Sequence, residues 1–346
     1  MGSSHAIATA YERLYLITSM IVDSILRLHP YREPRSILVI KLDEIGDMVL
    51  AMHTFEMIKR DNPSAALTIL CKPFVAGIVA TNSFVDRVIS IKDLGSERFD
   101  VVVDLRGSWA TLRWVLTHPP IRFFTRARVR ARNKAAGRIP HDSAANISIV
   151  EPLLRTSKPL LPKIVVPSEA QEAVASFLES HNLHQFAVIH PGARRPLKQW
   201  APERFAAVIQ FINTRYGLRT VVTGGPEDRA LLESLCLNAP MAIASPPDFT
   251  LLHLAALCQR ASLFVGNDSG PMHIASTFGL PLVGIFGPGV PGVFDPIGEH
   301  STTVHHVLPC NPCDQITCTR SEGPCILLVS VDEVCEAIGR VMPLTS

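Results

Sequence analysis

Short apolar runs recur along this chain, and a segment with helical periodicity follows most of them. The first run, Ser36–Lys41, is β-branched and almost continuously apolar, which is typical of a strand covered on both faces. The same alternation starts again at Phe186–His190. Alternating strands and helices predict a parallel sheet with helices on both faces, and two series predict two such domains. We therefore expect an α/β fold of two doubly wound domains that face an interdomain cleft, because ligands of open α/β sheets bind beyond the carboxyl ends of the strands.

The predicted elements also suggest where the domains divide. Prolines at positions 159, 162 and 167 mark a polar-to-apolar transition, which indicates a linker. We expect an N-terminal helical extension over 1–35, a first domain over 36–160 and a second domain over 161–346. The predicted strands are Ser36–Lys41, Leu67–Cys71, Arg87–Ile91, Val101–Leu105, Phe186–His190, Arg219–Thr223, Met241–Ala244, Leu263–Val265 and Leu282–Phe286; the first predicted helix is Met48–Arg60.

Residues 6–28 show apolar side chains at helical spacing, interrupted by charged residues. The spacing predicts an amphipathic helix, and the favoured interpretation is that its apolar stripe packs on the first domain. Contact of the stripe with a membrane surface is the alternative. No apolar run is long and charge-free enough to span a bilayer, so we expect a cytoplasmic protein that can associate with the inner face of the inner membrane. The stripe consists of Leu14, Ile17, Ile21, Ile25 and Leu28.

The overall charge is balanced, with 33 Lys and Arg against 31 Asp and Glu. This balance does not favour a nucleic-acid-binding protein. One tract, 122–138, is nevertheless strongly basic and contains no acid. It has three interpretations: a surface for an anionic acceptor, formed by Arg126, Arg128 and Arg130; a nucleic-acid contact; or a solvated face. Its cations are Arg122, Arg126, Arg128, Arg130, Arg132, Lys134 and Arg138.

The segment 266–273 offers the densest set of polar groups beside a strand. It follows the apolar run 261–265 and precedes a helix-like segment, and proline suits a first helical turn because its missing N–H costs nothing there. Free N–H groups at such a helix end favour an anionic ligand such as a phosphate. The candidate ligand-binding residues are Asp268, Ser269, Gly270, Pro271 and His273.

Three further strand-to-helix turns carry candidate residues. Asp47, after the first strand, is either a helix N-cap or a general base. In the basic loop 190–200, Gly192 allows close backbone approach and Lys198 can neutralise a diphosphate leaving group. Gly224 lies in a Gly-Gly-Pro turn at the end of another predicted strand, and this position predicts contact with a nucleotide.

Four cysteines lie close together near the end of the chain, at Cys310, Cys313, Cys318 and Cys325. Four thiolates in a short loop can complete a tetrahedral metal site, and a disulfide pair is the alternative in an oxidising compartment. We expect structural zinc or iron here, with no catalytic role.

Taken together, these motifs resemble glycosyltransferase family nine, the ADP-heptose:lipopolysaccharide heptosyltransferases. The similarity is carried by 37–47, 190–200 and 268–273, in the order and spacing of the family. It implies the GT-B architecture of two Rossmann-like domains, and inverting transfer without a catalytic metal. By position, Asp47 falls on the catalytic base of the family, Lys198 on its donor-site lysine and Asp268 on the aspartate of its second domain. Ser269, Gly270 and His273 would join the diphosphate and sugar contacts.

The resemblance therefore implies transfer of heptose from ADP-heptose to a hydroxyl of the lipopolysaccharide inner core. Three alternatives remain open at this point. In the first, the enzyme transfers heptose to a protein or another glycan. In the second the chain is a GT-B nucleotide-sugar epimerase, and in the third it binds nucleotide sugars without catalysis. Of these, the last fits least well with the presence of Asp47, Lys198 and Asp268 together.

Overall fold

The computed structural model describes residues 2–28, 32–156, 158–311 and 313–343. The chain forms two compact units, which divide between Pro162 and Lys163. Each unit has its own sheet and its own buried apolar core. Within the described ranges, no helix is long and apolar enough to cross a membrane.

The first unit is built on a parallel sheet. Its strands are β1 (Ser36–Lys41), β2 (Ala66–Cys71), β3 (Arg87–Ile89), β4 (Val101–Asp104) and β5 (Arg122–Thr125). Their order in the sheet is β3–β2–β1–β4–β5. The order reverses between β1 and β4, so the carboxyl ends of these two strands form the topological switch point at which ligands of such sheets bind. The helices are α1 (Gly2–Leu26), α2 (Ile45–Val49), α3 (His53–Asp61), α4 (Pro73–Ala80), α5 (Trp109–Thr117), α6 (Arg126–Ala135) and α7 (Asp142–Val150).

The second unit also contains a parallel sheet. Its strands are β6 (Phe186–His190), β7 (Arg219–Val222), β8 (Ala242–Ala244), β9 (Leu263–Asn267), β10 (Leu282–Phe286) and β11 (Ser301–His305). Their order in the sheet is β11–β10–β9–β6–β7–β8, and the switch point lies between β6 and β9. The helices are α8 (Ser168–Ser180), α9 (Pro202–Tyr216), α10 (Arg229–Asn238), α11 (Leu251–Arg260), α12 (Gly270–Ser276), α13 (Pro291–Phe294) and α14 (Val331–Val341).

The α/β prediction is confirmed, and the apolar runs form the buried central strands. The four apolar side chains of β1 between Ile37 and Ile40 are at most 1% exposed, and burying each contributes about 1.5–3 kcal/mol. Such rigid strands hold the loops at their carboxyl ends in place.

Three differences from the predicted elements have physical causes. The single helix predicted at Met48–Arg60 is two helices, α2 and α3, because the backbone turns at 50–52. β5 was missed because it begins with Arg122, whose buried guanidinium donates to the carbonyl oxygens of Leu26 and Ile121, both at 2.9 Å. β11 was missed because it pairs only with β10, at an end of the sheet, and is mostly half-buried, so it lacks a continuous apolar run.

The N-terminal helix forms, but the opposite face packs on the first unit. The prediction that the apolar stripe would be buried is wrong. The buried face instead includes Ser19 and Asp23, both 0% exposed, and Arg128 of α6 forms an ion pair with Asp23. This polar packing depends on residues about 100 positions apart, which is why helical periodicity alone selected the wrong face. The side chains of the stripe are between 52% and 83% exposed, namely Leu14, Ile17, Ile21, Ile25 and Leu28.

Candidate functional site

Asp47 lies in the first turn of α2, directly after the switch-point strand β1. Glu44 occupies the N-cap position and makes no side-chain cap bond. The N-cap interpretation of Asp47 is therefore wrong, and its carboxylate is not used to begin the helix. A carboxyl placed in this way at the end of β1 can serve as a general base.

A buried ionic cluster surrounds this carboxyl. The ammonium of Lys41 is fully buried and lies 3.1 Å from Asp43 Oδ2 and 3.9 Å from Asp142 Oδ2, as ion-pair contacts without hydrogen-bond geometry. Arg126 forms a second ion pair with Asp142. Asn146 donates to Asp142 Oδ2 at 3.1 Å, which completes the shell of that carboxylate. The two cations Lys41 and Arg126 thus lie against the carboxyls of Asp43 and Asp142.

The cluster moves the pKa values of half-buried Asp47 and buried Asp142 in opposite directions. Burial raises the pKa of Asp47 above its ordinary value of 3.8, and the negative charges of Asp43 and Asp142 add to this, while Lys41 and Arg126 oppose it. Burial would also raise the pKa of Asp142, but the charges of Lys41 and Arg126 outweigh it and hold that pKa below 3.8. Such divergence is how proteins separate a structural carboxylate from a proton acceptor. Asp142 stays ionised, and Asp47 is the carboxyl suited to taking up a proton.

The basic tract is largely engaged within the first unit. Arg126 donates to Leu105 O at 3.0 Å as well as pairing with Asp142. Arg128 pairs with Asp23 and donates to Ser24 Oγ at 3.0 Å, both on α1. Arg130 is exposed. The assignment of Arg126, Arg128 and Arg130 to an acceptor stays a prediction.

In the second unit, Lys198 and Asp268 form an ion pair. The distance from Lys198 Nζ to Asp268 Oδ2 is 2.6 Å, and the two side chains are 17% and 5% exposed. Lys198 ends the 3-10 helix Pro196–Lys198 in the loop after β6, and Asp268 directly follows β9. The structure therefore brings two of the predicted donor-site residues together at the switch point of the second sheet.

The turn after Asp268 leads into α12 as its sequence predicts. Ser269 is the N-cap residue and makes no side-chain cap bond, while Pro271 lies in the first helical turn. Ser269 Oγ is buried, and no hydrogen-bond partner for it is found within the described residues. His273 is 3% exposed. Beside Gly270, the hydroxyl of Ser269 is thus a polar group whose hydrogen-bonding capacity remains for a ligand.

Gly192 and Gly224 have a structural reason to be glycine. A Cβ on Gly192 would lie 2.5 Å from Asp228 Oδ2, and one on Gly224 would lie 2.6 Å from Leu232 Cδ1. Asp228 Oδ2 also accepts a hydrogen bond from Gly225 N at 2.9 Å. The two glycines let the loops after β6 and β7 close around Asp228. Their contact with a nucleotide stays a prediction.

Two residues that support this site were missed by the sequence reasoning. Asn267 Nδ2 donates to Pro191 O at 2.7 Å and its Oδ1 accepts from Trp200 N at 3.2 Å, so it joins both ends of the loop that carries Lys198. Gly289 approaches Asp268 so closely that any Cβ there would overlap Asp268 Oδ2. The position of Asn267 beside Asp268 was a usable signal, whereas nothing in the turn around Gly289 pointed to Asp268.

The predicted four-cysteine cluster lines one small cavity of about 30 Å³. Burial raises the pKa of Cys325, and the nearby thiols of Cys313, Cys310 and Cys318 raise it further. In the described ranges, no group of three or more His, Cys, Asp or Glu side chains is arranged so that it could hold a metal ion. The disulfide alternative is not seen, because all four thiols are free.

The cysteine loop is attached to the segment that carries Lys198. Leu197 and Pro288 line the same cavity as the cysteines. Arg195 Nη1 donates to Asp314 O at 2.6 Å, and Gln315 Nε2 donates to Pro288 O at 3.2 Å. The conformation of this loop is therefore coupled to the donor-site candidates by direct contact.

Known proteins share both the sequence pattern and the fold. The family model for glycosyltransferase family 9 (heptosyltransferase) matches residues 87–322, which include Lys198 and Asp268 and begin after Asp47. Lipopolysaccharide heptosyltransferase 3 of Escherichia coli is 25% identical over 277 residues, or 70% of this chain and 80% of that protein.

Two solved structures are similar along almost their whole length. The family 9 glycosyl transferase of Veillonella parvula has a TM-score of 0.74 at 22% identity, covering 89% of this chain and 97% of that one. E. coli ADP-heptose lipopolysaccharide heptosyltransferase II has a TM-score of 0.70 at 17% identity, covering 88% and 98%. These likenesses confirm the GT-B prediction. Because the family model matches more than half of the sequence, the chain belongs to glycosyltransferase family 9, the heptosyltransferases, and is a glycosyltransferase.

Proposed function

We propose that this enzyme transfers heptose from ADP-heptose to a hydroxyl of the lipopolysaccharide inner core, with inversion at the anomeric carbon. The observation that carries the proposal is that each unit has a charged site at the switch point of its sheet. Asp47 and its cluster follow β1, and the Lys198–Asp268 pair joins the loops after β6 and β9. The related heptosyltransferases supply the donor and acceptor classes.

Asp47 is the proposed general base. The acceptor oxygen attacks the anomeric carbon, the bond from that carbon to the β-phosphate oxygen of ADP breaks, and the acceptor proton passes to the Asp47 carboxylate. A base whose pKa is raised toward the operating pH accepts the proton more readily than an ordinary aspartate. The lowered pKa of Asp142 keeps a fixed negative charge beside the cations, so that Lys41 and Arg126 do not fully suppress the basicity of Asp47.

Lys198 and Asp268 are the proposed donor-site pair. The two charges neutralise each other across 2.6 Å, which keeps Lys198 Nζ in place. The diphosphate would then compete for the ammonium and release Asp268 to accept hydrogen bonds from sugar hydroxyls. An ammonium held at the leaving group stabilises the charge that grows there during bond cleavage. The buried hydroxyl of Ser269 supports a further donor contact, with Gly270, Pro271, His273, Gly192 and Gly224 as the remaining candidates.

An anionic acceptor requires exposed cations to bind it, and we place these in the first unit. Arg126 and Arg128 pair with Asp142 and Asp23, so we assign them a positioning role, and we propose Arg130 as an acceptor contact because its side chain is exposed. An acceptor of this kind is membrane-bound, so the enzyme would work on the cytoplasmic face of the inner membrane in peripheral contact with it.

A structural metal at the four-cysteine loop is part of the proposal. Four thiols around one cavity are the donor set that would hold zinc or iron, and the metal would supply a structural cross-link between the cysteines of the loop. Because Leu197 and Arg195 contact the cysteine loop, a metal that makes this loop rigid would also restrict the segment that carries Lys198. Metal analysis of the purified protein tests this, with Cys318→Ser as the variant and Cys236→Ser, outside the loop, as the control.

The activity is tested by ADP release from ADP-heptose with and without heptose-deficient lipopolysaccharide. We expect acceptor-dependent release, reduced by about 10²–10⁴-fold in Asp47→Asn because the general base is lost. Asp93→Asn, an exposed aspartate of the same unit, is the matched control and should keep full activity.

The other outcomes have definite meanings. Release that is unaffected by Asp47→Asn would reject the base. Consumption of another nucleotide sugar would reject the donor, an altered sugar without transfer would indicate an epimerase, and transfer to a protein or other glycan alone would reject the acceptor.

A further inference from the structure

The outward face of α1 is an apolar stripe on the surface of the first unit. Four of its side chains, within the helix, are between 52% and 58% exposed, and Leu28 just beyond the helix is 83% exposed. Scattered exposed apolar residues are ordinary, but five at spacings of three and four residues form one continuous strip along a helix. We call this strip the α1 stripe: Leu14, Ile17, Ile21, Ile25 and Leu28.

Polar contacts on the other face fix the rotation of α1. Ser19 Oγ donates to Thr125 Oγ1 at 3.2 Å, and buried Asp23 pairs with Arg128 and, at 2.7 Å, with Arg27. Tyr15, 7% exposed, belongs to the apolar core. Rotating α1 about its axis to bury the stripe would separate Asp23 from Arg128 and expose Tyr15 of the apolar core. Breaking a buried ion pair in this way is strongly unfavourable. The stripe is therefore held outward by the fold itself.

Exposed cations lie on the helix that packs against α1. Arg130, Arg132 and Lys134 of α6 are exposed, as is Arg138 just after it, and the tract contains no acidic residue. Arg132 lines a cavity together with Met20 and Asp23 of α1. Arg13 is exposed at the other end of the stripe. An apolar strip bordered by lysine and arginine is the pattern of a helix that lies in the interface of an anionic bilayer.

The groove between the two helices has the same mixed character. A cavity of about 550 Å³ opens between α1, α6 and the end of α7. Its wall includes the apolar side chains of Met20, Phe124 and Val129 and, at the α6 side, Arg132. Asp23 and Glu151 also line it, and Asp23 is neutralised by two arginines. The groove thus adds apolar surface beside the stripe, with Arg132 placed for an anionic headgroup.

We propose that the α1 stripe docks the enzyme on an anionic lipid bilayer, with the stripe in the interface and the α6 cations on the headgroups. Charge complementarity selects this occupant. A second copy of the chain would bring two basic borders together and repel, whereas an anionic membrane neutralises them. The inference builds on the proposed inner-membrane location, but does not depend on which sugar or acceptor the enzyme uses.

The test is flotation of the full-length protein with lipid vesicles. Binding is expected to vesicles of phosphatidylethanolamine with phosphatidylglycerol, and much less to vesicles of phosphatidylcholine alone. Replacing Ile17, Ile21 and Ile25 by serine should lower the partition coefficient about a hundredfold, from three half-buried aliphatic side chains. Leu237→Ser, at an 83% exposed position of α10, is the matched control and should bind as the parent protein does.

A charge variant tests the second half of the proposal. Arg132→Gln with Lys134→Gln should lower binding to anionic vesicles about thirtyfold and leave binding to neutral vesicles unchanged. Arg260→Gln with Lys163→Gln, both exposed in the second unit, is its control. Turnover with a delipidated, soluble acceptor should be the same in all these variants, which separates docking from catalysis.

Either of two flotation results would overturn the proposal: the parent protein fails to float with anionic vesicles, or the serine variant floats as well as the parent protein does. A dimer in solution that the serine variant dissociates would assign the stripe to a second copy instead. A failure to release ADP in the activity assay would leave the vesicle result standing, so the two proposals fail separately.

Discussion

Lys41→Met tests whether the ionic cluster both holds the first unit together and sets the basicity of Asp47. The ammonium lies 3.1 Å from Asp43 Oδ2 and 3.9 Å from Asp142 Oδ2. At an effective dielectric of about 20, these separations correspond to gross attractions of about 5 and about 4 kcal/mol. The desolvation cost of the buried ions offsets most of this gain, so the pairs themselves contribute little net stability.

Removing one partner has a larger effect than the net value of the pair. Methionine would fill the space of Lys41 but leave Asp142 buried with Arg126 as its remaining cation. Such a change costs about 3–5 kcal/mol, which corresponds to about 6–20 °C in the melting temperature of a unit of this size. Because Lys41 also lowers the pKa of Asp47, its loss should raise that pKa and move the acid limb of the pH–rate profile to higher pH.

The assay combines thermal unfolding with a pH–rate profile for ADP release. Lys59→Met is the control, because Lys59 and Asp86 form a 2.7 Å pair that is 21% and 45% exposed and should contribute only about 0–1 kcal/mol. A Lys41→Met protein with parental stability would refute the energetic reasoning. An unchanged or lowered acid limb would refute the coupling of Lys41 to Asp47.

Three further substitutions test other parts of the site. Because folding raises the pKa of Asp47, ionisation of this carboxyl destabilises the folded protein. Asp47→Asn should therefore increase the free energy of unfolding at pH 7, as measured by urea titration. This gain should vanish as the pH falls below 3.8, where the carboxyl is protonated in both states. Burial raises the pKa of Asp104 to about 6. Asp104→Asn should therefore stabilise the protein by up to about 3 kcal/mol above pH 6 and have no such effect below pH 4. A gain in stability that does not depend on pH would contradict this reasoning. Gly289→Ala should displace the carboxylate of Asp268 and weaken donor binding about tenfold or more by calorimetry, while Gly292→Ala, whose Cβ meets open space, should bind as before.

The predicted site residues differ in how far the structure accounts for them. Asp47, Lys198 and Asp268 lie at the carboxyl ends of switch-point strands, where the strand pattern places them. The arginines at 126 and 128 were selected for their charge, but the structure gives each of them a buried aspartate as partner. Charge in a sequence shows that a cation is present, whereas its availability to a ligand depends on what folds against it.

The sequence alone determined the properties that depend on near neighbours. Apolar runs specify buried strands, and glycine, proline and small polar residues specify the turns that end them, because strand burial and backbone conformation are set within a few residues. The two series of strands and helices and the positions of Asp47, Lys198 and Asp268 at strand ends follow from this local information.

Only the tertiary structure decided which charges pair and which helix face is buried. Lys198 meets Asp268 across 70 positions, and Arg128 meets Asp23 across 105, so neither pair leaves a local signal. The α1 stripe shows the same limit. Its periodicity predicts a helix with one apolar side, but the face that packs on the unit carries Tyr15 and Leu26 of the apolar core as well as Asp23. Turning the stripe inward would expose that core and separate buried Asp23 from Arg128, which is strongly unfavourable, so these distant contacts keep the stripe outward.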